Sequence, residues 1–340
     1  MTETRLTAYS HGAGCACKLS PSELNEILAP LHGHVATTHP DLKVGLHTSD
    51  DAGVYDIGGG RALVQTVDIF TPVVDSPREW GQIAAANALS DIYAMAATPL
   101  TALQYLAWPR DVLPFSMATE VVAAGMDVMA SAGCTVLGGH SIDSPEPTYG
   151  FAVTGIAGLS DIRTNAGGRP GDRLVLTKPL GIGIVTTAIK RGKCPPELAE
   201  RAIEQMAGLN DVAGRALITC GATAATDVTG FGLLGHLREM CRASDTGAEI
   251  ETGRVPVLNG AAELLSAGMW AGGSQRNLDA ILPELGTDLG IEAIKLLVDA
   301  QTSGGLLAAL APERVDCFLG TVPGSAVIGA LTSDNLIRVA

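Results

Sequence analysis

The residues most able to do chemistry lie near the amino end, where Cys15-Ala16-Cys17-Lys18 sits in the run SHGAGCACK with glycine at positions 12 and 14 and His11 close by. A loop of small residues can carry a thiolate to a substrate, and the Lys18 ammonium favours the charged form of a neighbouring sulfur. Free cysteines are usually buried, so two of them on such a loop suggest function. The alternatives are incidental cysteines on an exposed loop, or a zinc site. A single C-x-C without a second ligand pair at zinc spacing is weak support for zinc.

Four aspartates form the second group: Asp51 in TSDDAGVY, Asp68 at the end of an expected strand, Asp91 inside an otherwise apolar helix and Asp227 in TDVTGFGLLGH. Hard divalent cations take oxygen donors, and magnesium bridging phosphates uses one or two carboxylates plus water. Together these acids can hold several ions. Taken singly, Asp51 and Asp227 can cap turns, Asp68 can end a strand and Asp91 can pair with a buried donor. Asp91 is the hardest to explain that way, because a carboxylate on a face of small helical residues costs free energy unless it is paired or metal-bound. Three glycine-bearing turns could cradle phosphate through backbone N–H groups: Gly138-Gly139-His140-Ser141, Gly181-Ile182-Gly183 after Thr177-Lys178-Pro179, and Thr302-Ser303-Gly304-Gly305. None is a Walker or dinucleotide motif, and each alone reads as an ordinary tight turn.

The elements that must position these groups follow from pattern. Ser20, Pro21 and Glu23 are the cap, first-position proline and S-x-x-E partner of a helix. GVYDI and RALVQTVDIF flank Gly58-Gly59-Gly60 as a hairpin. The Ala-rich stretch 77–97 is helical and places Asn87 and Asp91, four apart, on one face. A strand near 100–108, a helix near 116–132 and strands CTVLGG and TYGFAVTGI complete a first α/β unit near residue 160. The polar, glycine-rich stretch 160–172 is a linker. RLVLT, a helix at 231–243 and AVIGALTSDNLIRVA then belong to a second α/β unit.

With 340 residues, 46% hydrophobic and 17% charged, the chain has the size of two domains and the profile of a globular enzyme. A net charge of -14 without a basic run disfavours a nucleic-acid or anionic-membrane surface, and makes phosphate binding depend on a metal. Seven scattered cysteines do not resemble a disulfide framework, which fits a reducing cytoplasm. No stretch reads as a targeting or membrane-spanning segment.

Taken together, SHGAGCACKLSP, DDAGVYD, NALSDIYAM, GGHSIDSPEP, VTGI, LTKPLGIG, TDVTGFGLLGHLREM and QTSGGLL resemble, in order and from end to end, the bacterial selenophosphate synthetase family. The resemblance implies that selenide, ATP and water give selenophosphate, orthophosphate and AMP, with Mg2+ required. It implies Cys15 as the catalytic cysteine, Lys18 as an essential lysine that also reaches the nucleotide, and Asp51, Asp91 and Asp227 as metal ligands. Thr48, Ser49, Asp50, Asp68 and Asp91 match positions around the nucleotide. Gly139, His140 and Ser141 match a segment that reaches it from the partner subunit of a homodimer. Ala16 stands where many relatives have glycine, and Ser49 where some have arginine. The implied fold is α/β (α+β): the two-domain aminoimidazole ribonucleotide synthetase-like fold, in which the N-terminal sheets of two subunits pair into a barrel. The corresponding division is a 1–45 segment with the Cys/Lys loop and a short helix, a 46–160 ATP- and metal-binding domain and a 161–340 C-terminal domain. Selenium would arrive free or from a delivery protein. The rivals are another ATP-dependent member of the same superfamily and a non-catalytic thiol- or metal-binding module.

Overall fold

The structure is a computed structural model that describes residues 4–10, 24, 26–27, 29–31, 39–46 and 48–340. Cys15, Cys17 and Lys18, and the helix start at Ser20, Pro21 and Glu23, lie outside the described residues. Six strands, β1 (Leu42–Val44), β2 (Gly53–Gly58), β3 (Arg61–Phe70), β4 (Thr98–Trp108), β5 (Thr135–Asp143) and β6 (Thr148–Gly158), form one sheet in the order β1-β2-β3-β6-β4-β5. Only the β4–β5 pair is parallel. The β2–β3 hairpin turns where the pattern predicts, through Gly58, Gly59 and Gly60 at φ of 80°, 65° and 74°, a left-handed run that glycine adopts without steric cost.

Two helices cover one face of this sheet. The helix Pro77–Ala94 starts at Ser76, whose Oγ accepts the Glu79 N–H at 3.3 Å, with proline in the first position. It packs on β3 and β6, on the helix Phe115–Ser131 and on helices of the second half. It is therefore apolar nearly all round, as a helix buried on every side must be. Gly81 lets the Phe115–Ser131 helix approach, since a Cβ there would lie 2.1 Å from the Val121 carbonyl oxygen.

The second half builds a seven-stranded sheet from β7 (Arg173–Leu176), β8 (Ala224–Asp227), β9 (Gly247–Ile250), β10 (Leu285–Gly286), β11 (Leu306–Leu310), β12 (Ala326–Thr332) and β13 (Ile337–Val339), in the order β10-β13-β9-β12-β7-β11-β8. It is buried on both faces. The two-residue side-chain period of a strand sends Leu174 and Leu176 into a cluster with Leu233, Leu237 and Met240, and Val175 into another with Ala213, Leu217 and Phe318.

Three expectations change. Gly138–Ser141 is not a turn: it lies inside β5, paired in parallel with β4 from Leu103↔Gly138 to Leu106↔Ser141. The Gly181–Gly183 turn opens the helix Ile182–Lys190, and its amides are taken by a carboxylate of the protein itself, with Gly183 N and Ile184 N donating to Asp299 Oδ2 at 2.9 and 3.2 Å. No phosphate cradle remains there. Finally, Cys220 and Cys317 are joined by a disulfide across a sequence separation of 97, whereas Cys134, Cys194 and Cys241 are free. The scattered spacing hid this pair because only the fold brings their two helices together. Among the described residues, no helix is long and apolar enough to cross a membrane.

Candidate active site

The buried Pro77–Ala94 helix carries a polar triad, Asn87, Ser90 and Asp91, whose i, i+3, i+4 spacing puts all three on one face. Each meets a different partner. Asn87 Nδ2 donates to Asp68 Oδ2 on β3 at 2.5 Å. Ser90 Oγ donates to Asp227 Oδ2 at the end of β8 at 2.6 Å. Asp91 Oδ2 accepts the Thr66 hydroxyl of β3 at 2.5 Å. Asn210 ties the second half to the same point, donating to Ser90 Oγ at 2.9 Å and to the Gly304 carbonyl at 2.8 Å.

Asp51 completes the cluster from the loop before β2. Its Oδ1 accepts the Thr226 hydroxyl at 2.9 Å, whereas its Oδ2 is buried with no hydrogen-bond partner among the described residues. Burial first, then the charges of Asp227 and Asp91, hold its carboxyl well above the usual carboxylate range. An orphaned carboxylate oxygen amid acids that destabilise one another's charge is the electrostatic pattern a cation relieves, and an all-oxygen donor set suits a hard one. Ligand atoms of Asp51, Asp227 and His236 lie within 4.8 Å of one another. His236 is less suited to bind an ion, because its Nε2 accepts the Thr229 N–H at 3.1 Å.

Asp51 and Asp227 thus meet, the Asp91 charge acts on Asp51 from nearby, and Asp68 is tied to the helix that bears Asp91 through Asn87. Asp50 does not face them. Its Oδ1 accepts Asn165 N–H at 2.7 Å while Asn165 Nδ2 donates to the Ser49 carbonyl at 2.8 Å, fastening the loop to the 160–172 connection. Ser49 takes a left-handed φ of 51° there, and the Thr48 hydroxyl donates to Gly45 O at 3.1 Å. Burial raises the Asp50 carboxyl, opposed by the Asn165 and Thr48 bonds. Gly139, His140 and Ser141 are also apart from the acids. The register runs Asp68↔Phe151, Phe151↔Gln104 and Gln104↔Gly139, so Gly139 stands three strands, about 14 Å, from Asp68.

Sequence reasoning missed Thr66, Ser90, Thr226 and Asn210, the neutral groups that orient the acids. Ser90 alone left a trace, lying between Asn87 and Asp91 on the face already singled out. The described start of the chain is also tied down. Arg5 Nε donates to Asp75 Oδ2 at 2.8 Å, the Thr7 hydroxyl to Asp75 Oδ1 at 2.6 Å, the Ser10 hydroxyl to Thr71 Oγ1 at 2.7 Å and Lys190 Nζ to the Ser10 carbonyl at 2.5 Å. Ser10 is thereby fixed three residues beyond Asp68, just past β3.

Two linked α/β sheets with an acid cluster where they meet define a class. The AIR synthase related protein N-terminal domain matches residues 49–157, and the AIR synthase related protein C-terminal domain matches residues 169–340, so the chain is a two-domain protein of that group. Solved structures share the fold. Thiamine monophosphate kinase from Aquifex aeolicus has a TM-score of 0.67 at 16% identity, covering 94% of this chain and 98% of its own. Hydrogenase maturation protein HypE in complex with ATP has a TM-score of 0.59 at 19% identity, covering 97% and 90%. Within the group, the chain is 47% identical over 315 residues to the selenide, water dikinase of Photorhabdus laumondii, covering 93% of this chain and 90% of that protein. It is 44% identical over 316 residues to that of Haemophilus influenzae, with the same coverage. The chain belongs to the selenide, water dikinase family.

Proposed function

We propose that this chain is a selenide, water dikinase that converts ATP, selenide and water to selenophosphate, orthophosphate and AMP. The observation that supports the reading, in a chain of this family, is the approach of Asp51 and Asp227 around an orphaned carboxylate oxygen, with the charge of Asp91 acting on the same group. Magnesium held by these three would neutralise the triphosphate, supplying the charge stabilisation on which phosphoryl transfer depends. Thr66, Ser90 and Thr226 donate to the acids and orient them. Asp68, Asp91 and the Thr48–Asp50 loop border the nucleotide. Cys15 guides selenium to the terminal phosphoryl group, and Lys18 steadies that group during transfer.

The functional division follows: 1–45 as the segment bearing Cys15 and Lys18, 46–160 as the ATP- and metal-binding domain, 161–340 as the C-terminal domain. A homodimer supplies Gly139, His140 and Ser141 in trans. Its basis is the sheet face left without helices, where Tyr55, Val67 and Leu103 are 39%, 63% and 51% exposed. We place the protein in the cytoplasm, where the Cys220–Cys317 bond would be open to reduction, with selenium arriving as free selenide or from a delivery protein.

Phosphorus NMR of a reaction with ATP, magnesium and selenide tests the assignment. A phosphorus resonance coupled to selenium, together with AMP, is expected, and both should vanish in Cys15→Ser. Metal uptake without selenide-dependent AMP would instead make the chain a binding module.

A further inference from the structure

Two motifs singled out in the sequence, LTKPLGIG and QTSGGLL, take no part in the acid cluster, yet the fold packs them together beside it. Lys178, just after β7, is held by two carbonyls, Nζ donating to Gly208 O at 2.6 Å and to Ser303 O at 3.2 Å. An ammonium has three N–H donors, so one is left over, and among the described residues no carboxylate forms an ion pair with it. Burial pushes the Lys178 amine down to about 7, with the negative charge of Asp227 opposing the shift. The group is a cation short of compensation that senses the acids.

Ser303 is unsatisfied in the complementary way. It is fully buried, its N–H donates to Asn87 Oδ1 at 2.7 Å, and its own hydroxyl has no hydrogen-bond partner among the described residues. A buried hydroxyl without a partner costs about 1–3 kcal/mol. The residue also sits at a left-handed φ of 49°, which L side chains rarely adopt and which is found where a site is held under strain. Its neighbours pin it there. A Cβ on Gly304 would lie 2.0 Å from the carbonyl oxygen of Val228, the residue after Asp227, and one on Gly305 would lie 2.4 Å from Lys178 N. The loop is wedged between the lysine and the strand end that bears an acid of the cluster.

We propose that Lys178 Nζ and Ser303 Oγ form an oxyanion subsite, contributed by the C-terminal half, that binds a tetrahedral phosphate group on the side of the acid cluster away from β3. A spare N–H on an ammonium that reaches the Ser303 carbonyl and the unpartnered O–H of the same serine are the donors such an anion needs, and the neighbouring acids exclude it until they are neutralised. Given the proposed reaction, on which this inference rests, the subsite takes the phosphate that leaves as orthophosphate. Lys178 would then both touch the anion and hold the Ser303 loop.

Binding of inorganic phosphate to the full chain, measured by calorimetry with magnesium and AMP present, reads the subsite without any turnover. Lys178→Met should weaken that binding at least about tenfold and lower kcat for selenide-dependent AMP formation on the order of 10²-fold, the loss typical of one oxyanion donor, with the KM for ATP nearly unchanged. Lys178→Arg should restore part of both. Ser303→Ala removes a buried hydroxyl that makes no fold contact, so it should leave the apo-protein urea midpoint unchanged or raise it while weakening phosphate binding, which a purely structural serine would not do. Wild-type phosphate affinity in both Lys178→Met and Ser303→Ala overturns the subsite. Phosphate binding that depends on Lys178 in a protein yielding no selenide-dependent AMP would support the subsite and sink the reaction assigned above.

Discussion

Asp51→Asn should have opposite effects on the empty and the metal-loaded protein. The carboxylates of Asp51 and Asp227 offer ligand atoms within 4.8 Å of each other. At an effective dielectric constant of about 20, two full charges at that distance repel by about 3 kcal/mol. Burial and the charges of Asp227 and Asp91 push the Asp51 carboxyl upward and so favour its neutral form, which makes the gain on removing the charge smaller than the full repulsion, about 1–3 kcal/mol. Asparagine keeps the acceptor for the Thr226 hydroxyl and puts an N–H donor where the orphaned Oδ2 lies, facing acidic neighbours. The sign with pH follows. A carboxyl raised in the folded state holds a proton that the unfolded chain has lost, so metal-free stability is greatest below the unfolded value and declines as pH rises through the folded one. The variant should flatten that decline. Saturating metal and nucleotide tell the other half: the wild type should gain about 2.7 kcal/mol at a hundredfold excess over Kd, and the variant almost nothing. Urea unfolding at several pH values, with and without magnesium and ADP, measures both. A variant less stable than wild type when metal-free, or one that keeps the magnesium-dependent gain, refutes the reasoning.

Two further outcomes follow from the architecture. Reducing the Cys220–Cys317 bond, which closes a loop with a sequence separation of 97, should lower stability by up to about 4 kcal/mol, and Cys317→Ser should reproduce the shift without adding to it; a urea midpoint indifferent to reductant contradicts the bond's role. Leu103→Lys places a charge on the uncovered sheet face, where position 103 is 51% exposed, so it should give a folded monomer by sedimentation, and an unchanged association state, or a wild type already monomeric at micromolar concentration, removes the basis for sheet pairing.

What the sequence made legible depended on the range of the interaction. The β2–β3 hairpin and the buried Pro77–Ala94 helix are local, and their turn glycines and alanine-rich surface announced them. Asp91 stood out because a carboxylate on an apolar helix breaks a local rule, and the structure shows part of the compensation in the Thr66 hydroxyl, while the neighbouring acids leave the rest to a cation. The pairing of Asp51 with Thr226 spans 175 positions and that of Ser90 with Asp227 spans 137, distances over which periodicity carries no information, so residue type could gather four candidate aspartates but only family resemblance selected Asp51, Asp91 and Asp227 as ligands. Neutral orienting groups such as Thr66 and Thr226 were invisible because a threonine in a strand breaks no rule, and Ser90 showed only through its place between Asn87 and Asp91.

The misreading of Gly138–Ser141 has a different cause, and it bears on how the site is assembled. Two adjacent glycines signal a turn, but here Gly139 serves close strand pairing: a Cβ would lie 2.0 Å from the Gln104 carbonyl oxygen of β4. That pairing makes β5 the edge of its sheet, three strands from Asp68. A short polar segment so far from the acids of its own chain reaches a nucleotide held by those acids only if the nucleotide spans the gap or a second copy brings its own edge strand to them. The uncovered apolar face favours the second route. If two copies pair in this way, a Gly139→Val variant, which disturbs β5 but none of the acids, should lose nucleotide affinity while keeping the metal response of Asp51.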